Sequence, residues 1–152
     1  MPTHFHGTEE EILALDTFIK LTRSVNAVQA GLIPQLQRDH SLTESQFAVL
    51  EALFHLGPLS PGQICQKILR SGSNVTTVLD NLERNGLVRR DRDGRDRRVQ
   101  IVQMTEAGRS AISAALPMHV ERVTALMGAL SEYERRELGR LCKKLGTSAA
   151  SA

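Results

Sequence analysis

Apolar residues recur at helical spacing along most of this chain. From Thr8 onward Ile12, Leu15 and Ile19, with Thr22 and Asn26 below them and Phe18 alongside, fall on one face and predict a long helix reaching about Arg38. Thr8 with Glu11 three positions later is a capping box, which satisfies backbone N–H groups that the first helical turn leaves open. Gly31 and Pro34 predict a bend or break, because Pro34 removes one backbone hydrogen bond and crowds Ala30. A second helix opens at Thr43 and Gln46, buries Phe47, Leu50, Leu53 and Phe54, and stops at Gly57-Pro58.

A third helix opens at Ser60, with Gln63 completing a capping box and Pro61 at the first helical position, where its missing N–H costs nothing. Ile64 and Ile68 face inward one turn apart. Arg70-Ser71-Gly72 reads as a turn, with Ser71 as N-cap of the next helix. In that fourth helix Val75, Val78, Leu79 and Leu82 make one apolar stripe, and Asn85-Gly86 ends it. Asp93-Gly94 then signals a hairpin turn, and Val99, Ile101 and Val102 support a strand leading away from it. Thr105 caps a long helix with Ile112, Leu116, Val120, Val123 and Leu126-Met127 on its apolar side and a kink expected at Pro117. Ser131 with Glu134 opens a last helix carrying Leu138, Leu141 and Leu145, and the Ser/Ala tail over 147–152 is expected to be disordered. The sum is a mainly α chain with one small β-hairpin, in the order helix, turn, helix, hairpin.

Composition narrows the class. A length of 152 residues suits one domain with a real core, and 41% hydrophobic with 24% charged residues is ordinary for a globular protein. No run approaches the about 20 apolar residues of a membrane span, and the N-terminus lacks a basic-then-apolar signal pattern, so a cytoplasmic protein without membrane contact is expected. The net charge of +2 hides an uneven layout. Residues 67–109 hold ten basic and six acidic side chains, a net of +4, whereas the remainder holds nine and eleven, a net of −2. Such a basic block is the footprint of a nucleic-acid surface.

The polar side of the fourth helix carries Ser73, Thr76, Thr77, Asp80, Asn81 and Arg84, with Asn74 at its edge. Short hydroxyl and amide side chains near a helix N-terminus reach base edges and phosphates, and the helix N-terminus itself attracts phosphate. Taken alone, the same pattern describes any amphipathic surface helix. The hairpin changes the weighing: Arg89, Arg90, Arg92, Arg95, Arg97 and Arg98 alternate with Asp91, Asp93 and Asp96. Arginine on a protruding ribbon suits minor-groove entry, and the aspartates are placed to hold guanidinium groups by bidentate pairing. The competing reading is a solvated loop with weak surface ion pairs.

Taken in order, Leu42-Thr43 with Gln46 and Leu50, Val75-Thr76, Leu82-Glu83, Gly86-Leu87-Val88, Asp96-Arg97-Arg98, and Thr105 with Gly108 resemble the MarR family of bacterial transcription regulators, over about Leu13 to Leu145. The resemblance implies a winged helix-turn-helix homodimer that dimerises through its N- and C-terminal helices and binds a pseudo-palindromic operator in double-stranded DNA. It implies dimerisation helices over 8–38 and 105–146 around a DNA-binding lobe over 43–104. It points to Arg98 as the wing residue that enters the minor groove, supported by Asp96, with Ser71, Ser73, Asn74, Thr76, Thr77, Asn81 and Arg84 on the recognition helix and Arg92, Arg95 and Arg97 on the wing. Most members repress, and many release DNA when a small, often aromatic, effector binds. Met104 stands where leucine is common and Thr77 where arginine is frequent, so base preference does not carry over.

Nothing points to catalysis or a cofactor: there is no Gly-rich phosphate loop, His-Glu metal helix or nucleophile elbow. His4 and His6 have no carboxylate or Cys nearby and read as solvent-exposed or partner-packed residues, with no metal. Cys65 reads as a small buried hydrophobe and Cys142 as lying near a dimer seam; the first helix has no cysteine, unlike the peroxide-sensing members of the family. Arg23, Asn26 and His55 are the candidates for an effector crevice between the terminal helices and the DNA-binding lobe. The expected function is a homodimeric DNA-binding repressor, with a ligand-binding or dimeric interaction module lacking specific DNA binding as the alternative.

Overall fold

A computed structural model describes residues 5–68, 72–92, 94–96 and 98–150. In chain order the elements are α1 (Glu9–His40), α2 (Glu44–Leu56), α3 (Pro61–Ile68), α4 (Gly72–Arg84), β1 (Val88–Arg92), β2 (Gln100–Met104), α5 (Glu106–Met127) and α6 (Glu132–Ala149). The strands pair antiparallel in the register Val88 with Met104 through Arg92 with Gln100. Leu59, just ahead of α3, adds a bridge to β2, its N–H donating to the Val102 carbonyl at 3.2 Å and its own carbonyl accepting from the Val102 N–H at 2.8 Å.

Four helix starts follow from local chemistry. Thr8 with Glu11, Thr43 with Gln46, Ser60 with Gln63 and Ser131 with Glu134 each form the reciprocal pair of side-chain-to-backbone bonds. Each cap of this kind contributes about 1 kcal/mol. Helix α1 ends on Ser41, a non-glycine residue in left-handed conformation at φ 54°, whose N–H reaches the Gln37 carbonyl at 3.2 Å. That corner turns the chain directly into α2.

One core fills the space among α2, α3, α4 and the hairpin and extends onto α5. Leu50, Ile64, Val75, Leu79, Leu82, Val88, Val102 and Ile112 are fully buried in it. Burial of each Leu or Ile stabilises the fold by about 2 kcal/mol. Phe54 and Ile68, expected inside, are only partly covered.

Neither proline breaks its helix: α1 continues through Pro34 and α5 through Pro117. A proline forfeits one backbone bond, and packing against a second helix outweighs that loss. Here α1 lies along α5 with Gly31 close against Leu126, where an added Cβ would sit 3.2 Å from the Leu126 side chain. Arg122 Nε donates to the Gly31 carbonyl at 3.2 Å, one residue past the Ala30 carbonyl that Pro34 leaves without its helical donor. The hairpin also differs. Its strands stop at Arg92 and resume at Gln100, so the connection is longer than a two-residue turn, and Asp93 of the expected Asp93-Gly94 turn lies outside the described residues. Helix α6 continues past Gly146 to Ala149, because alanine is a good helix former and Thr147 bonds back to the Lys143 carbonyl at 2.9 Å. Residues 151 and 152 of the expected disordered tail, like His4, lie outside the described residues.

Helix α6 contains no buried residue. Leu138, Leu141 and Leu145 stand exposed along it, and Tyr133 near its start is 77% exposed. Leu13, Phe18 and Val25 are exposed along α1 in the same way. The apolar stripe of α6 therefore has little cover among the described residues, whereas on α1 Ile12 and Phe18 are exposed and Leu15 and Ile19 are half-buried.

Candidate nucleic-acid interface

Helix α4 divides as its sequence predicts. Val75, Leu79 and Leu82 are buried, while Asn74, Thr76, Thr77 and Arg84 are exposed and Asn81 is half-buried. Arg84 Nη1 donates to Asn81 Oδ1 at 3.1 Å, which fixes both side chains at the C-terminal end of the polar face. Ser71 and the side chain of Ser73 lie outside the described residues, as do Arg70, Asp93 and Arg97.

Asp80 does not share in that polar face. Its carboxylate accepts from Arg90 Nη2 at 2.7 Å. Arg90 sits in β1, and its Nε donates to Glu83 Oε2 at 2.9 Å while its backbone N–H donates to Glu83 Oε1 at 3.2 Å. One half-buried guanidinium thus joins two carboxylates of α4 to the first strand of the wing. The hydrogen bonds from Arg90 hold the Glu83 carboxyl below the ordinary carboxylate range. The same two carboxylates push the Arg90 guanidinium further up. Charge-assisted bonds of this kind are about twice as strong as neutral ones.

Two of the three aspartates between the arginines, Asp91 and Asp96, have described contacts. Asp91 meets Arg89 Nε at 3.1 Å in an exposed pair, and such pairs contribute little. Arg89 Nη2 also donates across the ladder to Gln103 Oε1 at 3.2 Å. Asp96 Oδ1 accepts from the backbone N–H of Arg98 at 2.9 Å, a bond that shapes the loop. Arg92, Arg95 and Arg98 are exposed at and near the wing tip. The residues that sequence reading missed as wing supports are Glu83, Asp80 and the inward-turned Arg90. Glu83 and Arg90 are seven residues apart on different elements, and no short-range spacing rule links them.

A second joint locks this unit to α5. The Thr105 hydroxyl donates to the Gly86 carbonyl at 2.6 Å and accepts from the Gly108 N–H at 3.1 Å. The Thr105 N–H donates to the Leu87 carbonyl at 3.1 Å. The end of α4, the start of the wing and the first turn of α5 therefore meet at one threonine.

The effector candidates do not converge. His55 is exposed and borders a shallow hollow with Glu51, Ala52 and Lys67. Arg23 and Asn26 are exposed on α1 and do not line that hollow. Cys65 is half-buried against the core and Cys142 is exposed. Among the described residues no helix is long and apolar enough to cross a membrane.

Comparison with known proteins matches this architecture. The model of the MarR family matches residues 42–99. The chain is 33% identical over 139 residues to the HTH-type transcriptional regulator YkoM of Bacillus subtilis, across 91% of this chain and 90% of that one. It is 32% identical over 136 residues to the HTH-type transcriptional regulator MhqR of the same organism, across 90% and 93% of the two chains. Among solved structures it is similar to BpsR of Bordetella bronchiseptica, whose DNA binding is regulated by 6-hydroxynicotinic acid, with a TM-score of 0.78 and 26% identity over 86% of this chain and 98% of that one.

Proposed function

The chain belongs to the MarR family of transcription regulators, and from that premise we propose that it is a homodimeric repressor of a pseudo-palindromic operator, released by a small organic effector. It acts in the cytoplasm and performs no catalysis. The observation that carries this reading is the polar face of α4 standing beside an arginine wing to which Arg90 ties it. Asn74, Thr76, Thr77, Asn81 and Arg84, with Ser71 and Ser73 at the helix start, face the major groove. Arg92, Arg95, Arg97 and Arg98 follow the backbone into the adjacent minor groove, where narrow width concentrates negative potential. The uncovered apolar faces of α1 and α6 support pairing of two chains through their terminal helices, around a DNA-binding lobe formed by 43–104. Two-fold symmetry then sets two recognition helices about one DNA turn apart. Effector release is drawn from the regulation of BpsR.

The test is a fluorescence-anisotropy titration of the full chain against DNA from its own promoter, with scrambled DNA as competitor, at several salt concentrations. Tight binding that falls steeply with salt and resists the scrambled competitor is the expected result. Weak and equal binding to both DNAs overturns it.

A further inference from the structure

On the reading of the chain as a homodimeric repressor, on which this inference rests, we propose that Thr105 is a positioning residue that sets the spacing of the two DNA half-sites the dimer accepts. Helix α4 ends at Gly86, whose φ is 70°. The Gly86 N–H donates to the Glu83 carbonyl at 2.9 Å, and the Leu87 N–H donates to the Leu82 carbonyl at 2.9 Å. The N–H groups of these two residues are thus engaged by α4. Their carbonyls are engaged at the start of α5. The Thr105 hydroxyl donates to the Gly86 carbonyl at 2.6 Å, and the Thr105 N–H donates to the Leu87 carbonyl at 3.1 Å. Two consecutive residues therefore hold α4 on one side and α5 on the other.

The joint has no slack. Strand β2 ends at Met104 and α5 begins at Glu106, so Thr105 alone connects them. The same hydroxyl accepts from the Gly108 N–H at 3.1 Å, which fixes the first turn of α5. Gly108 lies so close to the Leu87 carbonyl that there is no room for a Cβ. That first turn therefore rests on main chain, which does not adjust as a side chain does. The tie between α1 and α2 is of another kind: Gln29 Nε2 donates to Glu44 Oε1 at 2.9 Å, through two flexible side chains.

Geometry turns this rigidity into a ruler. Helix α4 has 13 residues and is about 20 Å long. A tilt of about 10° at Gly86 would carry its far end about 3 Å, close to the step of about 3.4 Å between neighbouring base pairs. Two-fold symmetry moves the second α4 by the same amount in the opposite sense. The bond from the Thr105 hydroxyl to the Gly86 carbonyl resists that tilt. A bond that served stability alone would affect all operators alike. A spacing joint instead governs the ratio of affinities among operators that differ only at their dyad.

Anisotropy titration of the full chain tests the proposal, using its promoter DNA, two derivatives with one base pair inserted or removed at the dyad, and scrambled DNA. The parent chain should lose about tenfold in affinity on each derivative. Thr105→Asp keeps a good N-cap acceptor for the Gly108 N–H, but its carboxylate cannot donate to the Gly86 carbonyl. That variant should stay dimeric, melt near the parent and bind the three operators within about threefold of one another. Its added negative charge weakens all three alike and leaves their ratio untouched. Thr105→Ser, which retains both bonds, should restore the parent's ratio. If Thr105→Asp fails to fold, Thr105→Ala, which lacks the donor altogether, is read in the same way. A parent chain indifferent to spacing, a parent-like ratio in the variant without the donor, or loss of the ratio in Thr105→Ser overturns the assignment. A parent chain that does not prefer its promoter to scrambled DNA overturns the repressor reading and this inference together. Promoter preference without spacing preference removes this inference alone.

Discussion

Arg90 and Glu83 join two elements that touch different grooves of DNA in the proposed complex. The Arg90 Nε donates to Glu83 Oε2 at 2.9 Å, and the Arg90 backbone N–H reaches the other carboxylate oxygen at 3.2 Å. The wing is therefore hinged to the last turns of α4 by both side chain and main chain. Arg90→Met should lower operator affinity roughly tenfold while leaving the dimer intact, because wing arginines that swing freely lose their preset position. Arg90→Lys should not restore it, since an ammonium cannot bridge Glu83 and Asp80 in the same fork. Anisotropy titration with size-exclusion chromatography reads both outcomes, and full affinity in the methionine variant would end the argument for this tie.

The same pair carries a pH signature. Arg90 depresses the Glu83 carboxyl below its ordinary value of 4.5. A depressed carboxyl contributes stability that is fully present above the unfolded-state value and is lost as pH falls through the lower folded-state value. The tie should thus remain intact through pH 4.5 and loosen only in more acid solution. Carbon-detected NMR titration of the Glu83 carboxyl, followed with the Arg90 amide shift, checks this. A Glu83 midpoint at or above 4.5 would show that Arg90 does not hold it in solution.

Gly108 is required by space rather than by backbone angle. A Cβ there would lie 2.0 Å from the Leu87 carbonyl oxygen, a main-chain atom that cannot step aside without disturbing the start of the wing. Gly108→Ala should destabilise the protein by about 2 kcal/mol or more. Gly62→Ala, where the nearest atom is Ser60 Oγ at 4.0 Å, should instead stabilise it by roughly 0.5–1 kcal/mol through helix propensity. Urea unfolding of the pair decides the point, and equal midpoints would mean that the Leu87 junction gives way easily.

Arg98 and Asp96 separate contact from support. Arg98→Ala should weaken operator binding about tenfold and reduce its salt dependence, with the dimer unchanged. Asp96→Ala removes the bond to the Arg98 N–H at 2.9 Å and should cost a few-fold at most. Equal losses in the two variants would place Asp96 in direct charge of the contact.

Much of this architecture was readable because its determinants are local. Capping boxes such as Thr43 with Gln46 need only residues three apart, and the Val75, Leu79 and Leu82 stripe needs only helical periodicity. What was not readable depends on partners brought together by the fold. Pro34 argues for a broken helix until Leu126 and Arg122 of α5 are set beside it. The alternation of Arg and Asp in the wing suggested pairing within the wing, whereas the inward Arg90 found Glu83 and Asp80 on α4. The effector candidates Arg23, Asn26 and His55 were picked one residue at a time, whereas a crevice is a property of two elements at once.

Tyr133 gives the molecule an optical reporter of its own. The chain has no tryptophan and a single tyrosine, and that tyrosine is 77% exposed near the start of α6. Its emission is therefore blind to the DNA-binding core and sensitive to whatever settles on the terminal helix. Dilution of the unlabelled protein, followed through this one ring, reports association without any added dye, and chemical unfolding of the reader lobe should leave the signal flat until the terminal helices part.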